Sequence, residues 1–189
     1  MAAAIFARNF SRLRTDFVRK APGTLHPMSK SIDKFDVALL NLVQSNSAAT
    51  ADALAREVPL SPSAITRRLR RLRDEGLIAA EVAILSPRLV EDRLWAMVQV
   101  QAHDHAENKG MASLRSRLAA LEEVQLLLDV GGSFDLALLV VTRNMAAFNA
   151  FAERFVAADP VVRRYETSFV KRVVKNRPAV RLDEGDCAR

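Results

Sequence analysis

The sequence predicts an α+β protein in two parts: a three-helix, winged-type helix-turn-helix, joined by a linker strand to a βαββαβ domain. Three observations carry this. Apolar residues recur at helical spacing between Phe35 and Leu72, strict alternation takes over from Leu94 to Ala102, and the two periods then interleave. With 189 residues, 50% of them hydrophobic, the chain can bury two small cores.

Asp33 is placed to cap a first helix from Lys34 to Gln44, with Ile32 and Val37 as a hydrophobic staple. Phe35, Leu39, Leu42 and Val43 form its apolar stripe. After the polar stretch Ser45 to Ala49, Thr50 can cap a second helix, Ala51 to Val58, that buries Leu54 and Val58. Only Pro59 and Leu60 then precede Ser61, a cap for a third helix, with Pro62 in the first helical position, where its missing N–H costs nothing.

At about 100° per residue, Ile65, Leu69, Leu72 and Gly76 share one arc of the third helix and face the core. Ser63, Thr66, Arg67, Arg70 and Asp74 occupy the opposite arc, with Arg71 and Arg73 on its flanks. Hydroxyls and guanidinium groups on an exposed helix suit base edges and phosphates in the major groove. Alone, the helix fits a solvated face equally well. A tight turn from a short helix into this basic one tips the balance toward double-stranded DNA. The candidate DNA-binding residues are Ser61, Ser63, Thr66, Arg67, Arg70, Arg71 and Arg73, with Ser63, Thr66, Arg67 and Arg70 reading bases and Arg71 and Arg73 holding phosphates.

Beyond Ser86-Pro87, alternation puts Leu94, Ala96, Val98, Val100 and Ala102 on one side of a strand and Trp95, Met97, Gln99 and Gln101 on the other. Met111, Leu114, Leu118 and Leu121 follow helical spacing. Strands are expected over Val124 to Val130 and Leu136 to Thr142, then a helix carrying Phe148, Phe151, Ala152 and Phe155, a stop at Asp159-Pro160, and a last strand from Tyr165 to Val174. This order is ferredoxin-like, with both helices on one sheet face. The third strand is apolar on both sides, so the uncovered face is an association surface, and a homodimer is expected. Two recognition helices about a two-fold axis suit a roughly palindromic site with half-sites about 34 Å apart or a multiple of that.

The expected divisions are a basic extension at 1–29, a DNA-binding domain at 30–78, a linker at 79–92, a ferredoxin-like dimerisation domain at 93–181 and a tail at 182–189. Net charge is +6, yet residues 1–30 hold six basic and one acidic side chains, residues 31–80 seven and six, and the remainder fifteen of each. Bulk charge therefore proves nothing about nucleic acid, and the local arginine cluster carries the argument. Met28 is the expected start, the preceding residues being an overrun, with a functional arm as the alternative. Cys187, the one cysteine, excludes an intrachain disulfide and a multi-cysteine metal site and suits a reducing cytoplasm. No apolar run is long enough to cross a bilayer. His103 and His105 flank Asp104 in what reads as an exposed loop rather than a metal site, His26 stands alone, and no catalytic constellation or cofactor motif is recognisable.

Ile32-Asp33-Lys34-Phe35-Asp36, Leu54-Ala55, Leu60-Ser61-Pro62-Ser63, Arg68-Leu69-Arg70-Arg71-Leu72, Gly76-Leu77-Ile78, Leu85-Ser86-Pro87 and Gly132-x-x-Asp135 occur in that order. In order and spacing they resemble the Lrp/AsnC family of transcriptional regulators. The resemblance implies a regulator that assembles beyond the dimer, to tetramers or octamers. It also implies response to a small effector, often an amino acid, near the glycine turn. Gly131, Gly132, Ser133 and Asp135 are the effector candidates; alternatively the glycines only make the turn and Asp135 only stabilises it. Pro59, where members often carry glycine, forces the turn to φ of about −65°. Ala53 replaces a frequent capping glutamate, and Ser133 and Leu136 replace a frequent acidic and a frequent aromatic residue. Two other readings remain: an enzyme like the sirohaem decarboxylases of the same architecture, and a small-molecule sensor that does not bind DNA.

Overall fold

The structure, a computed structural model, describes residues 32–103 and 108–188. The N-terminal extension, His26, Asp104 and His105 lie outside the described residues. There are two compact units: residues 84–174 form one, and residues 32–83 with 175–188 form the other. The sequence reading kept residues up to 181 in the second domain and left 182–189 as a tail. In the structure residues 175–188 group with the helices.

In the helical unit, α1 spans Lys34–Ser45, α2 Ala51–Leu54 and α3 Pro62–Asp74. Asp33 caps α1 by accepting from the Phe35 and Asp36 N–H groups, and the Asp36 carboxylate reaches back to Asp33 N, completing a capping box. Thr50 accepts from Ala53 N at 3.2 Å, with no reciprocal bond. Helix α2 is shorter than expected. Residues 55–57 turn instead of continuing it, yet Leu54 and Val58 are both buried. Leu60 N then donates to Val58 O at 2.7 Å, closing a three-residue turn about Pro59. Such a turn needs negative φ at its centre, which proline supplies.

Gly76 does not continue the α3 seam; it ends the helix. Its φ of 73° lies in the left-handed region, and Gly76 N and Leu77 N donate to Arg73 O and Leu72 O. Ile65, Leu69 and Leu72 pack with Leu39, Leu40, Val43 and Leu54. The linker strand expected over 79–92 is absent. Residues 79–86 have no regular structure, and Pro87–Leu89 make one 3-10 turn. A strand needs a neighbouring backbone to pair with, and no described segment supplies one there.

The second unit is a four-stranded antiparallel sheet in the order β2-β3-β1-β4, with β1 at Leu94–Ala102, β2 at Val124–Asp129, β3 at Leu136–Thr142 and β4 at Val162–Phe169. Helices α4 (Asn108–Ala119) and α5 (Met145–Ala152, continued by a wide turn over Glu153–Ala157) cover one face, with Leu114, Leu118, Phe148 and Val156 packed onto Val98, Val100, Leu138 and Val140. The last strand starts and stops earlier than the expected Tyr165 to Val174. Phe169 pairs with Ala96 and Val170 N still reaches Trp95 O, one residue from the start of β1 at Leu94.

Gly76→Ala places a Cβ in the left-handed region and is expected to destabilise the helical unit by about 1–2 kcal/mol, read as a lower urea midpoint in circular dichroism of the full chain.

Candidate functional site

The outward face of α3 is set by what its inward arginines hold. Asp36 is buried at 1% exposure on α1, and its two carboxylate oxygens take Arg68 Nη1 at 2.9 Å and Arg71 Nη2 at 2.5 Å. Arg68 Nη1 also reaches Asp33 at 2.7 Å, and the guanidinium carbon Cζ lies 5.7 Å from the centre of the Phe35 ring. Burial raises the Asp33 carboxyl, but the N–H groups of Asp36 and Phe35 and the Arg68 guanidinium outweigh it and hold the group below its ordinary value. The hydrogen bond to Asp36 holds Arg68 above the ordinary arginine value, against the opposing effect of burial.

Ser63, Thr66, Arg67, Arg70 and Arg73 are exposed, as the helical arc requires. Arg67 forms no ion pair among the described residues. Arg70 is 83% exposed and only 3.8 Å from Asp74, a loose surface contact. Arg73 pairs with Glu81 at 2.8 Å. Ser61 accepts from Ala64 N at 3.3 Å and sits 3.1 Å from the Ser63 hydroxyl, so it serves the helix start. The Thr66 hydroxyl donates back to Pro62 O, leaving its oxygen lone pairs outward. Arg71 is placed differently from the expected outer flank: it is 28% exposed and locked to Asp36. Asp36 and Arg68, prominent in this arrangement, were not among the site residues read from sequence. An acidic residue on a helix reads as solvated until its partners, more than thirty positions away, are known.

The second unit contains an open cavity of about 510 Å³, lined in part by His103, Arg115, Asp129, Gly132, Ser133 and Asp135. Gly132, with φ of 130°, makes the turn in a conformation that favours glycine, while Gly131 is not part of the lining. Asp135 accepts from Ala102 N at 2.8 Å, and its own N–H donates to Val100 O. One of its oxygens therefore holds the loop to β1. Arg115 and Asp129 face each other across the lining, Nε to Oδ1, at 2.6 Å. Sequence reading missed this pair because helical and strand periodicity say nothing about which exposed charges meet. Among the described residues, no group of three or more His, Cys, Asp or Glu side chains could hold a metal ion, and no helix is long and apolar enough to cross a membrane.

A capped helix-turn-helix with an arginine-bearing outer face, carried with a ferredoxin-like unit that has a cavity, defines a DNA-binding regulator with a ligand-binding domain. Family profiles agree: residues 32–79 match a winged helix-turn-helix DNA-binding domain, and residues 95–180 match the Lrp/AsnC ligand binding domain. The chain is 33% identical over 159 residues to the HTH-type transcriptional regulator y4tD of Sinorhizobium fredii, covering 84% of this chain and 94% of that protein. It is 27% identical to the DNA-binding transcriptional activator DecR of Escherichia coli, over 76% of this chain and 94% of the relative. A crystal structure of a transcriptional regulator of Neisseria meningitidis in complex with L-Met superposes with a TM-score of 0.71 at 27% identity, covering 79% of this chain and 96% of that one. The chain belongs to the Lrp/AsnC family of transcriptional regulators, which are not enzymes. These relatives overturn the decarboxylase-like alternative.

Asp36→Asn leaves Arg71 without its counter-charge and is expected to cost about 3 kcal/mol, the low end of the range for breaking a buried pair because both arginines keep some exposure. Urea unfolding of the full chain measures it.

Proposed function

We propose that this regulator reads a specific operator with Ser63, Thr66, Arg67 and Arg70, while Arg73, released from Glu81, holds phosphate. Ser61 and Arg71 act indirectly, by starting α3 and by fixing its rotation. The observation that carries this reading is the split among the arginines of one helix: Arg68 and Arg71 are committed to Asp36, whereas Arg67 and Arg70 are exposed. Arginine in a major groove can bind guanine through two parallel hydrogen bonds, which suits the two exposed positions.

The protein works in the cytoplasm as a homodimer, with tetramers or octamers as further assemblies. Support comes from the sheet face opposite α4 and α5. There Met97 is 36%, Leu126 45% and Leu128 44% exposed, and Leu139 lies between Met97 and Leu126 in register. A second copy of the same face buries this apolar surface and provides a second α3 about a two-fold axis.

The effector is an amino acid or similarly small zwitterion in the cavity of the second unit. The L-Met complex of the Neisseria meningitidis regulator supports the class. Backbone groups at Gly132 and Ser133 suit a carboxylate, and the adjacent opposite charges of Arg115 and Asp129 suit a zwitterion. Asp135 is a weaker ammonium partner than Asp129, because it already holds Ala102 N.

Arg67→Ala or Arg70→Ala is expected to cost about 1–3 kcal/mol of operator affinity and to relax base preference, whereas Arg73→Ala weakens all sequences alike. Binding selections on randomised duplexes distinguish the two patterns, and uniform loss from all three variants refutes the assignment of roles. Met97→Lys puts a charge in the proposed dimer face and is expected to shift the full chain to monomer in sedimentation velocity; an unchanged sedimentation coefficient rejects that face.

A further inference from the structure

The three-helix part has no net charge of its own. Residues 32–83 contain seven basic and seven acidic side chains. Arg68 and Arg71 are committed to Asp36, and Arg73 to Glu81. A duplex carries one phosphate charge about every 1.7 Å of its axis, and affinity follows the number of phosphates neutralised. With Arg67 and Arg70 on bases, Arg73 once released from Glu81, together with Lys34 and Arg56, is all that this part has left for phosphate.

A further set of cations belongs to the same unit. From Val170 to Leu182 the sequence has five basic side chains and no acidic one. Three of them, Lys175, Arg177 and Arg181, lie in the segment that packs with the helices. All three are exposed and form no ion pair among the described residues.

This segment is clamped. Asn41 Nδ2 donates to Leu182 O and Asn41 Oδ1 accepts from Leu182 N, both at 2.9 Å. One turn along α1, Gln44 Nε2 donates to Val180 O at 2.9 Å and Gln44 Oε1 accepts from Val180 N at 2.8 Å. Two side-chain amides thus pair with alternate residues of the strap as a neighbouring strand would. Leu182 and Cys187 pack against the helical core. Asp183, Glu184 and Asp186 follow the strap, but no ion pair joins them to its cations among the described residues; Asp183 and Asp186 accept instead from Gly185 N and Asp183 N within the terminal turn.

We propose that this clamped strap is a second phosphate-binding strip of the DNA-binding unit, with Lys175, Arg177 and Arg181 neutralising the sugar-phosphate backbone while α3 reads bases. It rests on the α3 reading above. Phosphate contacts set position and affinity without carrying sequence information, which suits an extended segment with no fixed base-reading geometry.

The test is binding of the full chain to a mixed-sequence duplex and to the selected operator across a salt series, by fluorescence anisotropy. In K175Q/R177Q/R181Q, log K against log salt is expected to become shallower by about 2.7 per protomer on the duplex, that is about 0.9 for each of three lost contacts, and so by about 5.4 for a bound dimer, with base preference unchanged. N41A/Q44A keeps every charge and frees the strap; if it stays folded by circular dichroism, its slope should become shallower too. The charge variant decides the matter if it does not. An unchanged slope in the charge variant, while Arg67→Ala still weakens operator binding, overturns the strap and leaves the α3 reading standing. If Arg67→Ala instead binds like the unaltered chain while the strap variant loses slope, the α3 reading fails and the strip survives. An altered base preference in the charge variant also overturns the proposal.

Discussion

Asp36 is a carboxylate with 1% exposure, paired with two guanidinium groups from another helix. Taking an ion out of water costs several kcal/mol even after relaxation, and the cost is offset only when its oxygens are fully engaged. Here one oxygen takes Arg68, and the other takes Arg71 and Asp33 N. The same arrangement completes the start of α1 and fixes the rotation of α3. Arg68 and Arg71 are three residues apart and share one side of the helix; Arg67 and Arg70 each precede one of them and are therefore turned about 100° away. Pinning one pair aims the other.

This division of labour explains how a neutral three-helix part can present a basic face. Its positive charge is separated by depth: Arg68 and Arg71 are paired with a buried carboxylate on α1, whereas the outward arginines have at most surface partners, Asp74 for Arg70 and Glu81 for Arg73. Counting basic residues along the chain blurs the distinction, because five arginines within seven positions look like one cluster while the fold uses them in two ways. Arginine suits both uses. Its planar, always charged donor set binds a buried carboxylate or a base edge with paired hydrogen bonds.

The second unit has its own asymmetry. Helices α4 and α5 cover one sheet face and leave the other with Met97, Leu126 and Leu128 open. At the end of β1, Asp135 ties the glycine loop to Ala102, which gives the cavity a fixed wall on one side. Arg115 and Asp129 also line the cavity, as an ion pair close to solvent.

Local chemistry was legible in the sequence because it acts over a few residues. Asp33, Thr50, Ser61 and Pro62 mark helix starts through hydrogen bonds or their absence within one turn, and the alternation from Leu94 to Ala102 marks a strand with one buried face. Proline at 59 required a turn with negative φ, and one is present. What depended on distant partners was not legible. The ion pairs of Asp36 span more than thirty positions, the clamp of Asn41 on Leu182 spans 141, and β4 ends near the start of β1. By itself the sequence determined the elements, their order and the family, since caps and periodicity are properties of neighbouring residues. Only the tertiary structure decided which arginines Asp36 holds and where the end of the chain packs, because those outcomes are set by charges and backbone groups that meet only once the chain has folded.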